Sequence, residues 1–161
     1  YVYTGQMAKA EKKYWLMKSE PSTYGIEHLK KDKKTAWTGI RNFLARNYMR
    51  QMQIGDEILF YHSSCPIPGV YGVAKVASAP YADPTQFDPK SDYFEKRATK
   101  DKPVWDLVDI QYVCTLKHPV SLSEIRDNPK LAGMEILKPR FRLSVSPISP
   151  LHFSEILKLG S

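Results

Sequence analysis

The stretch IGDEILFYHSSCPIPGVYGVAKV, residues 54–76, decides the architecture. Gly55-Asp56 is a turn signal. EILFYH (57–62) and VYGVAKVA (70–77) are rich in β-branched and aromatic residues, and the SSCPIPG between them carries two prolines and a glycine. Two such runs joined by a Pro/Gly loop predict an antiparallel hairpin. Upstream, KYWLMK (13–18) predicts a buried strand that stops at Ser19-Glu20-Pro21, with Trp15 in the core. Ser22 or Thr23 can cap a short helix through GIEHLKK. Thr38 can cap a longer one reaching about Gln53. There Ile40, Phe43, Leu44, Tyr48 and Met52 follow helical spacing as a core stripe, while Asn42, Arg46 and Arg50 recur on another face.

Downstream, residues 78–104 mix Pro, Asp, Lys and Ser with Tyr81, Phe87, Tyr93 and Phe94, which predicts a long irregular excursion of the kind that is functional or disordered. LVDIQYVCTLK (107–117) alternates, with Val108, Ile110, Tyr112, Cys114 and Leu116 on one side. SLSEIRD is a short helix, PRFRLSVSPI (139–148) a strand, and Ser149-Pro150 opens a last helix closed by Gly160. Short strands interleave with short helices, without repeated βαβ units or a dinucleotide-binding glycine fingerprint. The expected class is mixed α/β (α+β): a curved, barrel-like, largely antiparallel sheet flanked by short helices.

The 161 residues suit one domain, expected over 13–160 behind an N-terminal tail at 1–12. The segment MAKAEKKYW has the look of a natural start at Met7, so YVYTGQ (1–6) is expected to be an added leader. At 42% hydrophobic and 25% charged the composition is that of an ordinary globular domain. No window approaches 18 uninterrupted apolar residues and no basic-then-apolar leader is present, so neither membrane partner nor export is expected. Cys65 and Cys114 form no metal-binding spacing and are expected to be reduced, packed thiols. Residues 1–55 hold 11 of the 24 Lys/Arg but only 4 of the 17 Asp/Glu, so the whole net charge of +7 lies there. Such a basic face attracts polyanions; a solvated helix surface with a lysine tract (Lys30, Lys31, Lys33, Lys34) reads the same way.

Catalytic motifs are missing. His28, His62, His118 and His152 share no metal-like spacing, and the sequence holds no HExxH, no GxSxG and no P-loop. No catalytic residue, metal or organic cofactor is therefore expected. Planar and polar groups stand out instead. Trp37, Trp105, Tyr61, Tyr71 and Phe87 fall at strand ends and loop edges, near Ser19, Asn42, His62, Ser63 and Gln86. Aromatic walls with amide and hydroxyl groups suit a nucleobase, whose face stacks while its edge is hydrogen-bonded. Trp37 and Trp105 read equally well as core.

Four stretches together resemble an EVE domain: KYWLMKSEP (13–21), AWTGIRNFLARNYMR (36–50), the hairpin at 54–76, and PVWDLVDIQYV (103–113). PRFRLSVSPI resembles the family's late strand. The resemblance implies a PUA-like fold and a relation to YTH domains, which hold a methylated adenine in an aromatic cage. KSEPSTYGIEHL resembles the YTH segment that enters a helix, and the Trp37 stretch resembles the one carrying a cage tryptophan. The chain departs from the YTH pattern after Trp37, where Thr-Gly-Ile-Arg-Asn stands, so adenine is not carried over. The resemblance implies binding of modified bases, with modified cytosine in DNA foremost and RNA as the other possible strand.

The resulting expectation is a non-catalytic module that reads a modified base, monomeric, nuclear in a eukaryote and cytoplasmic or nucleoid-associated in a bacterium. Ser19, Trp37, Asn42, Tyr61, His62, Ser63, Phe87 and Trp105 would form the base pocket, and Lys18, Arg41, Arg46 and Arg50 would meet the phosphate backbone. Trp37, outside the helix stripe, would keep one face open and be removable at modest cost. Two alternatives stand beside it: a small enzyme on a modified nucleotide with His62 and Glu20 as acid/base pair, and a protein-interaction module whose basic face meets an acidic partner.

Overall fold

A computed structural model describes residues 11–161. The expectations for residues 1–10, the added leader and the start at Met7, lie outside the described residues. The chain runs β1 (Tyr14–Ser19), a single turn α1 (Pro21–Tyr24), α2 (Ile26–Asp32), β2 (Lys34–Ala36), α3 (Phe43–Arg50), then the hairpin strands β3 (Glu57–His62) and β4 (Gly69–Val76). After the excursion come β5 (Tyr81–Ala82), β6 (Asp106–Leu107), β7 (Asp109–Ser121), α4 (Leu122–Asp127), β8 (Val145–Ile148) and α5 (Pro150–Gly160). Six strands form one sheet in the order β2-β7-β4-β3-β1-β8, and β5 and β6 pair separately. Only the β1–β3 pairing of the large sheet is parallel. This is the expected mixed class, with a curved, largely antiparallel sheet and short helices.

Both faces of the sheet are covered, which explains the unbroken apolar run in β1. Trp15 and Met17 enter one core with Leu29, Ile58, Phe60 and Ile110, while Leu16 enters the other with Leu59, Val73, Phe153 and Ile156. Trp15 also donates its Nε1–H to Asp56 Oδ2 at 3.0 Å, so the turn before β3 is tied to β1. The hairpin bounds match the sequence expectation to within one residue, with the Pro/Gly loop separating the two strands and a bulge at Phe60/Tyr61 shifting the register. The last helix begins where Ser149-Pro150 placed it, with the Ser149 side chain accepting from the His152 N–H.

Four expectations are corrected. The helix expected from Thr38 begins at Phe43, and Asn42 caps it by accepting from the Ala45 N–H at 3.0 Å. Its buried face is Ala45 and Met49, while Phe43 and Leu44 are about half exposed. The strand expected over 139–148 pairs only from Val145, because Arg140 turns the chain away at φ +60° and the main-chain bond from Lys18 to Ser144 is the last one made to β1. Cys114 is exposed, because β7 carries an extra residue near Val113 that breaks the alternation. Ser22 and Thr23 lie in α1; Gly25 opens α2, its N–H donating to His28 Nδ1 at 2.8 Å.

The excursion is irregular but stitched. Gln86 is fully buried: its amide N–H groups donate to the Asp83 and Trp105 carbonyls, and its Oε1 accepts from the Val104 and Trp105 N–H groups. One side chain thereby replaces the strand pairing that residues 83–105 lack. The excursion is fixed against α3, where it borders the cleft described next.

Candidate nucleic-acid interface

A cleft of about 510 Å³ opens where the end of β1, the α1 turn and the segment after β2 converge. That volume lies within the range of about 300–1,000 Å³ typical of small-ligand sites. Its walls carry three aromatic rings, Trp37, Tyr24 and Tyr93. Trp37 meets Tyr24 edge-on at 6.3 Å and Phe60 edge-on at 5.7 Å. It is 8% exposed and belongs to the core cluster, so the expectation of a tryptophan standing apart from the core is corrected. Tyr24 donates its hydroxyl proton to Asp32 at 2.8 Å; burial and that carboxylate push the phenol up to about 12, so it stays neutral.

Other polar side chains of the cleft are unengaged. Among the described residues, the side-chain oxygens of Ser19, Glu20, Thr38 and Ser144 make no hydrogen bond, yet all four residues line the opening. A carboxylate and three hydroxyls beside aromatic surface can satisfy the donors and acceptors of a planar heterocycle.

Gly39 and Tyr93 depend on one another. Gly39 sits at φ +89°, and a Cβ there would lie 2.8 Å from the Tyr93 ring, so only glycine lets the ring close over the backbone. Asp83, fully buried, holds this arrangement: it accepts from the Gly39 N–H at 2.9 Å, the Thr85 N–H and hydroxyl at 2.8 and 2.6 Å, and Arg41 Nη1 at 3.1 Å. Arg41 in turn donates from Nε and Nη2 to the Tyr93 carbonyl. Burial pushes the Asp83 carboxyl up, but the bonds from Thr85, Gly39 and Arg41 together outweigh it, and it titrates below the usual 3.8.

Of the residues singled out from the sequence, Ser19, Trp37 and Lys18 line this cleft together. Tyr61 and Ser63 line a second cleft on the far side of Lys18. Asn42 caps α3. Trp105 is 4% exposed, stacked on Phe43 at 4.7 Å and donating its Nε1–H to Glu95. Phe87 lies half-buried in the 3-10 turn Pro84–Phe87, off the cleft. Arg41, Arg46 and Arg50 are engaged by the chain itself: Arg46 donates to the Val104 carbonyl at 2.9 Å, and Arg50 is ion-paired with Asp106. Together they clamp α3 and its entry segment to the excursion.

His62 is buried at the end of β3, stacked on Tyr71 at 4.1 Å, and its Nε2 accepts the Ile26 N–H at 3.1 Å. The imidazole thus serves as the acceptor at the start of α2, which requires that nitrogen unprotonated. Burial pushes the imidazole below its ordinary 6.5. A group with a depressed folded value stabilises the fold above 6.5, and that contribution disappears as the pH falls through the folded value. The melting temperature is therefore expected to fall between pH 7 and pH 5 more steeply in the wild type than in His62→Ala. Parallel curves for the two proteins would contradict it.

Tyr24, Tyr93 and Gly39 escaped sequence reasoning. Only Gly39, a residue of low helix propensity inside an expected helix, left a signal; nothing local connects Tyr93 to it across 54 positions. Among the described residues no group of three or more His, Cys, Asp or Glu side chains is placed to hold a metal ion, and no helix is long and apolar enough to cross a membrane.

The EVE domain family model matches residues 13–159. The chain belongs to the EVE-domain family. Thymocyte nuclear protein 1 of Gallus gallus is 36% identical over 174 residues, spanning 96% of this chain and 72% of that protein. A Pseudomonas putida crystal structure superposes with a TM-score of 0.89 at 42% identity, covering 92% of this EVE chain and 99% of the other. The crystal structure of human thymocyte nuclear protein 1, in complex with DNA containing 5-methylcytosine, superposes with a TM-score of 0.86 at 34% identity, covering 92% and 98% of the two chains.

Proposed function

We propose that this EVE domain binds DNA and reads a modified cytosine turned out of the duplex into the cleft beside Trp37. The observation that carries the reading is the pairing, in one cleft, of three aromatic rings with four side chains whose oxygens are unengaged. The human relative crystallised with 5-methylcytosine DNA supports the choice of ligand. Cytosine offers an exocyclic amino donor that a carboxylate accepts well. Glu20 is the cleft's carboxylate and is assigned that contact, with Ser19 and Thr38 meeting the remaining edge. The rings of Trp37, Tyr24 and Tyr93 contact the face and the 5-methyl group. Turning the base out costs a few kcal/mol, and stacking returns about 1–3 kcal/mol.

The reading is non-catalytic. His62, half of the one acid/base pair that the sequence suggested, has its Nε2 engaged by the Ile26 N–H and is not among the cleft walls, whereas Glu20 is.

The test is a titration of wild-type protein with duplexes identical except for one central base: cytosine, 5-methylcytosine, adenine or N6-methyladenine, at stated salt. Tighter binding of the 5-methylcytosine duplex than of the other three is the expected outcome, and Glu20→Ala is expected to weaken both cytosine duplexes, since both carry the exocyclic amino group. Equal affinity for all four duplexes would overturn it.

A further inference from the structure

Beyond Lys18 lies the second cleft, of about 400 Å³, and its lining is cationic. Lys18, Lys138, Arg140 and Arg142 all border it, with no carboxylate among the lining residues. Lys138 is paired with Glu135 at 2.8 Å. Arg140 and Arg142 are exposed and make no ion pair or side-chain hydrogen bond among the described residues, in contrast to Arg41, Arg46 and Arg50. Lys18 lies 5.0 Å over the Phe141 ring. Burial, and after it the nearby Arg142, pushes its ammonium below the usual 10.5. Neutral donors stand beside them. Ser63 has an unengaged hydroxyl, and burial pushes the Tyr61 phenol up to about 12, so it keeps its proton.

The geometry points to a phosphodiester site: we infer that Lys18, Arg140 and Arg142 hold the DNA backbone next to the nucleotide whose base occupies the first cleft. The inference deepens the DNA-reading proposal above and rests on it. Lys18 borders both clefts, so a strand whose base enters one has its sugar-phosphate at the shared wall and its neighbouring phosphate in the other. Guanidinium groups suit phosphate because their forked N–H donors match its oxygens. Arg140, at φ +60°, is the turn at which the chain leaves the line of β8, and this turn carries the Lys-Pro-Arg-Phe-Arg segment along the cleft instead of along the sheet. The phosphate contacts therefore come from a C-terminal loop, in a region whose charges cancel in sequence.

The test measures affinity against salt for duplexes with and without 5-methylcytosine, using wild type, Arg140→Ala/Arg142→Ala, Arg140→Lys/Arg142→Lys, and Lys30→Ala/Lys31→Ala on the exposed side of α2. The alanine pair at 140 and 142 is expected to reduce the slope of log affinity against log salt by about 2, one per lost phosphate contact, and to weaken both duplexes by the same factor. The lysine pair there is expected to keep most of the slope, and the α2 pair all of it. A full slope in the 140/142 alanine variant, or a loss confined to the methylated duplex, overturns the site. If wild type binds both duplexes equally, the base-reading proposal fails while the slope still decides the phosphate site. If wild type binds neither, both fall. Both arginines are exposed, so melting curves of the variants should match wild type and keep folding out of the comparison.

Discussion

Asp83→Ala is expected to destabilise the domain by about 3–5 kcal/mol, the usual loss when one partner of a buried ion pair is deleted. The magnitude follows from what Asp83 satisfies: the Gly39 and Thr85 N–H groups, the Thr85 hydroxyl and the Arg41 guanidinium converge on one fully buried carboxylate. Without it the two N–H groups lose their acceptor and Arg41 its counter-charge. Gly39 is then released from φ +89° and Tyr93 from its seat over the backbone, so the cleft loses a wall. Binding of modified DNA should fall even at temperatures where the variant remains folded. Asp83→Asn separates charge from hydrogen bonding: it retains one acceptor oxygen and should lose less. Because the carboxyl titrates below 3.8 in the folded state, its contribution is present at neutral pH and disappears as the pH falls from about 3.8 through that lower value. Melting curves from pH 6 to pH 3 check this; the gap between wild type and Asp83→Ala should narrow toward the acid end as the charge is lost. A melting temperature for Asp83→Ala within a degree or two of wild type at pH 7 would contradict the account.

The second large effect is at Trp37. The packing against Phe60 and Tyr24 predicts that Trp37→Ala loses about 3–5 kcal/mol, as for any truncated core tryptophan. Trp15→Ala should lose at least as much, because Asp56 loses a donor in the same step. Alanine at 37 therefore confounds fold with function. Trp37→Leu fills more of the space and removes the π surface. It is expected to melt above Trp37→Ala, and its affinity for a 5-methylcytosine duplex should drop about five- to one-hundred-fold, corresponding to about 1–3 kcal/mol of lost stacking. Affinity for the methylated duplex unchanged in Trp37→Leu would remove Trp37 from the base site and leave it as core.

Where the sequence was informative, the deciding contacts were local. The β3–β4 loop, the Ser149-Pro150 helix start and the apolar run of β1 are set by residues within a few positions of one another. The helix near Trp37 shows the opposite case. Thr38 and Asn42 are both good caps, and propensity cannot choose between them; Asp83 does, by accepting the Gly39 N–H from 44 positions away. The core stripe held at Ile40, Tyr48 and Met52, which reach the core, but missed at Phe43 and Leu44, which are about half exposed, and it omitted Ala45 and Met49. Segment charge misled in a related way. Arg41 and Arg50 counted toward a basic N-terminal third, yet their counter-charges Asp83 and Asp106 lie in the remainder. Arg140 and Arg142 counted as balanced, yet among the described residues they make no ion pair. Of the cleft, Trp37 and Ser19 were legible as types that suit a base; Tyr93 was not, because only the folded excursion brings it to Gly39.

The position of β8 against β1 has a consequence for assembly. The cleft draws on residues from 18 to 144, and its last wall, Ser144, is held beside Lys18 only when the final strand joins the first. No partial fold of the chain contains the cleft. Pairings this distant in sequence close late, since loop entropy must be overcome before they yield contacts. A chain truncated before residues 144–148 is therefore expected to lack a complete cleft. A ligand in the cleft then acts as a clasp between the first strand and the last, so occupancy and global stability rise together by mass action.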